Sequence, residues 1–342
     1  MSPQLNRRAL FGLSAAAATT ALVAGAAVSN AADAPKTPPG AFGRVAASYA
    51  RETARAGGTW SSYISLPGAD GAPSPAVQQS ADASVQAYSV NKIGVATAVL
   101  DKVDRGLLRL SQRIDVTADI VVPDGDGIFG LDGAYPSSVT LGHAMAALLT
   151  VSDDTAVRLC GLVAPAKEIN DILKAKGFPK TQVEPVANPN RFYLGTTTPR
   201  ETHDLLQKLV AGKLLSAPST AYLLKVLRSP IAFTDGIRRD MSTEERLRIA
   251  TKAGWLKDGR NEAGLIFDAA GKPVLTYSMF AGGSFAGNAA RNDANFSATH
   301  PALQARAGMG RAFLDAVSGA AAPKTQLLRA VAPYQYHPHN GG

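Results

Sequence analysis

Ser89 and Lys92 stand three residues apart in Ser89-Val90-Asn91-Lys92, and no other serine of the chain has a lysine at that offset. The four residues fall where a strand ending near Tyr88 gives way to a helix predicted over 89–104. Ser89 is therefore expected at a helix N-terminus, with Lys92 one turn on and facing the same way. Such a hydroxyl meets both needs of acyl transfer. The exposed backbone N–H groups of the first turn favour developing negative charge, and an amine one turn along can take the serine proton if its own pKa is lowered.

Two further segments carry polar side chains in settings that suit the same chemistry. Val151-Ser152-Asp153-Asp154-Thr155-Ala156 lies between helices predicted over 141–150 and 154–163. Thr251-Lys252-Ala253-Gly254-Trp255 ends a strand predicted over 248–255. Other chemistries find little support. Cys160 is the only cysteine, so no intrachain disulfide forms, and its setting in a helix interior reads as a small buried hydrophobe. The five histidines include no pair at helical ligand spacing with an acidic partner, and His337 and His339 sit in a Pro-containing tail. No metal and no cofactor are expected.

The elements that must position these residues follow from periodicity. After a Pro-rich linker, apolar residues recurring at three and four predict a helix over 42–55. Residues 59–66 read as a strand, Asp70-Gly71 as a hairpin turn and 84–88 as the returning strand. Helices are then expected over 89–104, 141–150, 154–163, 166–176, 199–210 and 219–228. Strands return at 248–255, 263–268 and 274–281, and a last helix at 302–317. Strands at both ends with helices between them predict an α+β fold. One antiparallel sheet is built from both chain ends and flanked by helices, an all-helical block is inserted, and the active site lies in the cleft between them. The corresponding boundaries are a sheet part at 41–88 and 229–320 and a helical part at 89–228, with a flexible tail at 321–342.

The chain's 342 residues, 46% hydrophobic and 18% charged, suffice for a large core and exclude global disorder. Residues 1–31 read as a cleaved export signal. Asn6-Arg7-Arg8-Ala9-Leu10-Phe11 opens an Ala-rich apolar run that ends in small residues, and the paired arginines suit a twin-arginine signal. A linker at 32–40 follows. Without Arg7 and Arg8 the formal charge of +8 becomes +6, from 33 basic and 27 acidic residues. The excess is spread thinly, with no basic stripe interleaved with aromatics, which argues against nucleic acid. An extracytoplasmic, soluble monomer acting on a small molecule is expected, with no membrane association once the signal is removed.

Taken in order, the Ser-x-x-Lys, the Ser-Asp-Asn-like loop and the Lys-Thr-Gly-like strand resemble those of class A β-lactamases and related penicillin-binding serine enzymes. The likeness covers most of the mature chain. It extends to Gly106-Leu107-Leu108, to Ala263-Gly264-Leu265-Ile266, and to Glu184-Pro185-Val186-Ala187-Asn188 with Thr196-Thr197-Thr198-Pro199 behind it. The resemblance implies that Ser89 attacks a carbonyl and that the backbone N–H groups of Ser89 and Trp255 form the oxyanion hole. Lys92, or Glu184 through a water, takes the proton. Lys252 depresses the pKa of Lys92 by like-charge repulsion, and Ser152 relays the proton to the leaving nitrogen. Glu184 and Asn188, four apart and expected on one helical turn, then activate the deacylating water.

Two departures bear on substrate. The family's Asn is Asp154 here, which accepts hydrogen bonds but cannot donate them. It would repel an acylamide carbonyl, or pair with Lys92 and weaken it as a base. Ala253 replaces the hydroxyl residue that helps to hold the substrate carboxylate, beside Gly254 and Trp255. Three readings follow: a β-lactamase of altered range, an esterase or D-alanyl-D-alanine-type peptidase on the same fold, and a non-catalytic binding relative.

Overall fold

The computed structural model describes residues 37–319. The segment 1–31 expected to be an export signal, most of the expected linker and the tail expected at 321–342 lie outside these residues. Helix α1 (Ala41–Ala56) leads into β1 (Gly57–Pro67), β2 (Pro73–Gln79) and the short β3 (Val85–Gln86). A 3-10 turn at Tyr88–Asn91 then runs directly into α2 (Lys92–Asp104). There follow β4 (Arg113–Val116), β5 (Ser137–Thr140), α3 (Leu141–Thr150), α4 (Asp154–Val163) and α5 (Ala166–Ala175). Next come β6 (Gln182–Pro185), β7 (Phe192–Thr197), α6 (Pro199–Val210), α7 (Ala217–Leu227) and α8 (Thr243–Arg246). The chain closes with β8 (Ile249–Leu256), β9 (Gly259–Phe267), β10 (Pro273–Phe285), α9 (Ala289–Asp293) and α10 (Pro301–Ser318).

Both ends of the chain build one sheet in the order β2-β1-β10-β9-β8, antiparallel at β1–β2, β1–β10, β10–β9 and β9–β8. Side chains alternate across it with the period of two that a strand imposes. Ala250, Ala263, Leu265, Phe267 and Phe280 face the core of the helical block. Ile249, Ile266, Met279 and Ala281 face the opposite side, where Val45 and Tyr49 of α1 and Met309 and Phe313 of α10 cover them. The sheet is therefore the middle of three layers, and its β8 edge faces the block that carries Ser89.

Two expectations need correction. The strand returning from β1 is β2, at Pro73–Gln79, and not 84–88; within the latter only Val85 and Gln86 are extended, and they pair with β7 in a separate sheet, β3-β7-β6. Pro73 and Pro75 mask β2 in the sequence, yet they are tolerated because β2 is an edge strand. The inserted block is also not all helical. It holds the hairpin β4–β5 and the hairpin β6–β7 besides its helices.

Candidate active site

The 3-10 turn that carries Ser89 is set against the end of the sheet by a close approach of backbones. Gly254 on β8 lies so near the turn that a Cβ there would stand 2.6 Å from the Ser89 nitrogen and 2.8 Å from that of Val90. Only glycine permits this contact. It brings β8 against the Ser89 turn at the residue just before Trp255. The Trp255 ring packs on Phe233 with centroids 5.4 Å apart, so its side chain serves packing. Tyr88, just before Ser89, has φ 49°, and Ser152 has φ 59°. Both side-chain-bearing residues occupy the left-handed region, a strain that persists only where the surroundings impose it.

Lys92 begins α2 with no exposed surface. Its three ammonium hydrogens are all engaged: by the Ser152 carbonyl, by Ser152 Oγ at 3.2 Å and by Asp154 Oδ1 at 2.8 Å. Ser152 Oγ also accepts from Lys252 Nζ at 3.0 Å, so one hydroxyl bridges two buried amines. Lys252 donates further to the Ala253 carbonyl at 2.7 Å. Ser89 itself is half-buried, and its hydroxyl makes no hydrogen bond among the described residues.

Burial lowers the pKa of Lys92, against the opposing pull of Asp154. Lys252 is pushed well below the ordinary lysine value, first by burial and then by the charge of Lys92. Desolvation is the largest cause at both lysines, and the repulsion between the two ammoniums, which acts on both, adds to it.

A loop absent from the sequence-based list completes the site. Asp154 N donates to the Asp126 carbonyl at 2.9 Å, and Asp126 N donates to Asp154 Oδ2 at 3.1 Å. Asp153 caps α4 by accepting from Ala156 N, and its other oxygen accepts from the N–H groups of Ile128 and Phe129 at 2.6 and 2.9 Å. Gly127, at φ 113°, makes room for it, since a Cβ there would fall 2.1 Å from Asp153 Oδ2. Partial burial and the Asp154 charge raise the Asp126 carboxyl above the ordinary range, against the lysines. In the sequence only Gly125-Asp126-Gly127 hints at such a loop, and nothing there places it on Asp154.

Glu184 and Asn188 do not share a helical turn, which corrects that expectation. Glu184 is exposed on β6 opposite Tyr193, and Asn188 spends its Oδ1 on the Asn190 N–H of a local turn at 3.0 Å. Pro185 explains this, because a residue before proline is driven out of the helical region. The hairpin is nevertheless tied to the Ser89 turn. Asn91, buried between Ser89 and Lys92, donates through Nδ2 to the carbonyls of Leu194 at 2.6 Å and Thr196 at 2.9 Å, with Gln182 at 3.3 Å. The structure thus brings Lys92, Ser152, Asp154 and Lys252 into one hydrogen-bonded group and packs Ala253 (buried) and Gly254 against the Ser89 turn. Glu184 and Asn188 stay outside that group.

The fold is shared by solved structures. A beta-lactamase from Sphaerobacter thermophilus matches with a TM-score of 0.66 at 24% identity, covering 81% of this chain and 97% of that one. The ancestral GNCA class A beta-lactamase matches at 0.64 and 21%, covering 80% and 99%. PBP-A matches at 0.61 and 19%, covering 82% and 98%. These identities show the fold. Among curated proteins none matches. The model of the beta-lactamase enzyme family, however, matches residues 45–314, from α1 through the Ser89 turn to α10. A match of that extent assigns the chain: it belongs to the beta-lactamase enzyme family.

Proposed function

We propose that the chain is an exported serine hydrolase that cleaves a β-lactam amide through an acyl-enzyme on Ser89. The observation that carries this reading is the hydroxyl of Ser152 held between Lys92 Nζ and Lys252 Nζ beside the Ser89 turn. It provides a path by which a proton leaves the nucleophile and reaches the leaving nitrogen. Lys92, whose pKa is lowered by burial, takes the serine proton as the neutral amine, its ammonium having first lost one proton to solvent. The N–H groups of Ser89 and Trp255 receive the oxyanion. Glu184, on the hairpin that Asn91 ties to the Ser89 turn, is the carboxylate proposed to direct the deacylating water from the edge of the site, without the help of Asn188, whose Oδ1 is engaged by Asn190 N. The segment read as a signal, 1–31, delivers the chain outside the cytoplasm.

A second reading, an esterase or peptidase on the same fold, is favoured by Asp154 and Ala253, which remove contacts that suit a β-lactam's acylamide and carboxylate. Both readings are tested by mixing the mature protein with a chromogenic cephalosporin and a fluorescent penicillin, alongside Ser89→Ala and Glu184→Gln. Turnover lost in both variants, with a trapped acyl adduct on Ser89 in Glu184→Gln, is expected. Absence of any β-lactam adduct at Ser89 overturns the β-lactam reading, and Ser89-dependent ester hydrolysis in its place supports the second.

A further inference from the structure

Asp154 is the exposed end of an otherwise buried polar group. Its side chain retains 36% of its surface, whereas that of Lys92 retains none. One carboxylate oxygen accepts from Lys92 and the other from Asp126 N. A carboxylate has a second lone pair on each oxygen and no hydrogen, so whatever else meets Asp154 must be a donor. Asp126, whose backbone is bonded to that of Asp154 and whose loop is held by Asp153, sets a second carboxylate alongside.

The attacked carbonyl has two sides. Ser152 Oγ, bonded to Lys252, serves the leaving side. With Ser152 taken by the leaving side, the partly exposed carboxylate of Asp154, with Asp126 beside it, is the polar group of this cluster left to meet the substituent on the carbon next to the carbonyl. A carbonyl oxygen there would meet a carboxylate oxygen, unpaired and repelled. An amine there would donate to it.

We infer that Asp154 makes this site select acyl substrates that carry a free amine on the carbon next to the attacked carbonyl, and disfavour those in which that nitrogen is acylated. The inference rests on the reading of Ser89 as the nucleophile. It names a substrate class defined by hydrogen-bond polarity: α-amino acyl compounds, including β-lactams with an unsubstituted ring amine.

The test compares kcat/KM for 6-aminopenicillanic acid and benzylpenicillin, which share ring system and carboxylate and differ in the acyl group on one nitrogen. The wild-type protein is expected to prefer the free amine by about tenfold or more, the size of one hydrogen bond to a charged group gained or lost. Asp154→Asn, which restores a donor, is expected to reverse the preference. Its effect on Lys92 is common to both substrates and cancels in the ratio. Asp126→Asn, which leaves the Lys92–Asp154 pair in place, should move the ratio the same way by less. Equal or better turnover of benzylpenicillin by the wild type overturns the inference whether or not the variants fold, as does a ratio unmoved in a folded Asp154→Asn. Turnover of neither compound overturns the β-lactam reading and this inference with it, whereas turnover that survives Ser89→Ala overturns the nucleophile assignment itself.

Discussion

The ammonium of Lys92 lies 2.8 Å from Asp154 Oδ1, a fully buried cation against a carboxylate that reaches the surface. The two ends of this pair pull the lysine in opposite directions. Burial favours the neutral amine that a base requires, and Asp154 favours the ammonium. Where a neutral Lys92 limits acylation, the rate rises with pH as that ammonium is lost.

Removing the negative charge therefore shifts the profile in a defined direction. Asp154→Asn lowers the Lys92 pKa further, so the rising limb of the kcat/KM profile moves to lower pH than in the wild type. The same change removes a charge-assisted hydrogen bond at a partly exposed site and is expected to cost about 1–3 kcal/mol of stability. Rate profiles on one substrate and urea midpoints check both statements. A limb that stays in place shows that Lys92 is not the group whose ionisation limits the reaction.

Gly254 offers a test of backbone placement. In Gly254→Ala the new Cβ would press on Ser89 N and Val90 N, both backbone atoms that cannot swing aside. The turn and β8 must then separate. Overpacking of this kind costs about 1–3 kcal/mol. Because the Ser89 and Trp255 N–H groups lose their convergence, kcat/KM is expected to fall on the order of a hundredfold. A variant with normal activity would detach the oxyanion hole from this contact.

Several elements could be read directly from the sequence, and their caps explain why. Thr140, Asp153 and Thr198 accept from the N–H groups of His143, Ala156 and Glu201, and the helices begin at the next residue, as expected. The grouping of Ser89, Lys92, Ser152 and Lys252 was legible through the order of their three motifs, which resembles that of class A β-lactamases; Lys252, inside β8, has no boundary to mark it. Strand β2 was not, because Pro73 and Pro75 suppress the strand signal while edge position permits them. The extended path of Glu184 was signalled by Pro185 but hidden by a four-residue spacing that also suits a helix. Asp126 had only its two flanking glycines to hint at a loop, and nothing that placed it on Asp154. Its approach to Asp154 spans 28 positions and depends on how Asp153 folds the intervening loop back.

Asn91 links the nucleophile turn to the hairpin that bears Glu184. Asn91→Ala leaves carbonyls of Leu194 and Thr196 without this donor and should cost about 1–3 kcal/mol. Asn91→Asp should be worse than alanine, since a carboxylate would face the same carbonyls with no hydrogen to offer. Deacylation is expected to suffer more than acylation, which appears as a product burst followed by a slow steady state. Equal stability of the two variants would show that donation by Asn91 is not what holds the hairpin.

A second serine, histidine and aspartate stand in a row at the seam between α6 and the sheet, and their test separates arrangement from activity. Ser65 Oγ lies 2.7 Å from His203 Nε2, and His203 Nδ1 lies 2.8 Å from Asp204 Oδ1. Ser65 is only 1% exposed, so no substrate reaches it, and the group acts as a strut from β1 to α6. The Tyr63 ring meets His203 edge-on, and Arg200 lies over the other side of that ring. Burial lowers the His203 pKa below its ordinary 6.5, although Asp204 pulls upward. The unfolded chain therefore binds this proton more readily than the folded one as pH falls through about 6.5. The contribution to stability is full above that pH and is lost progressively below it. The urea midpoint should drop between pH 7.5 and 5.5 by more in the wild type than in His203→Gln, with Ser89-dependent turnover at pH 7.5 little changed. His300, pushed down to about 4, adds a drop of the same sign to both proteins and cancels in the comparison. An equal drop in the two would mean that His203 carries no part of the acid sensitivity.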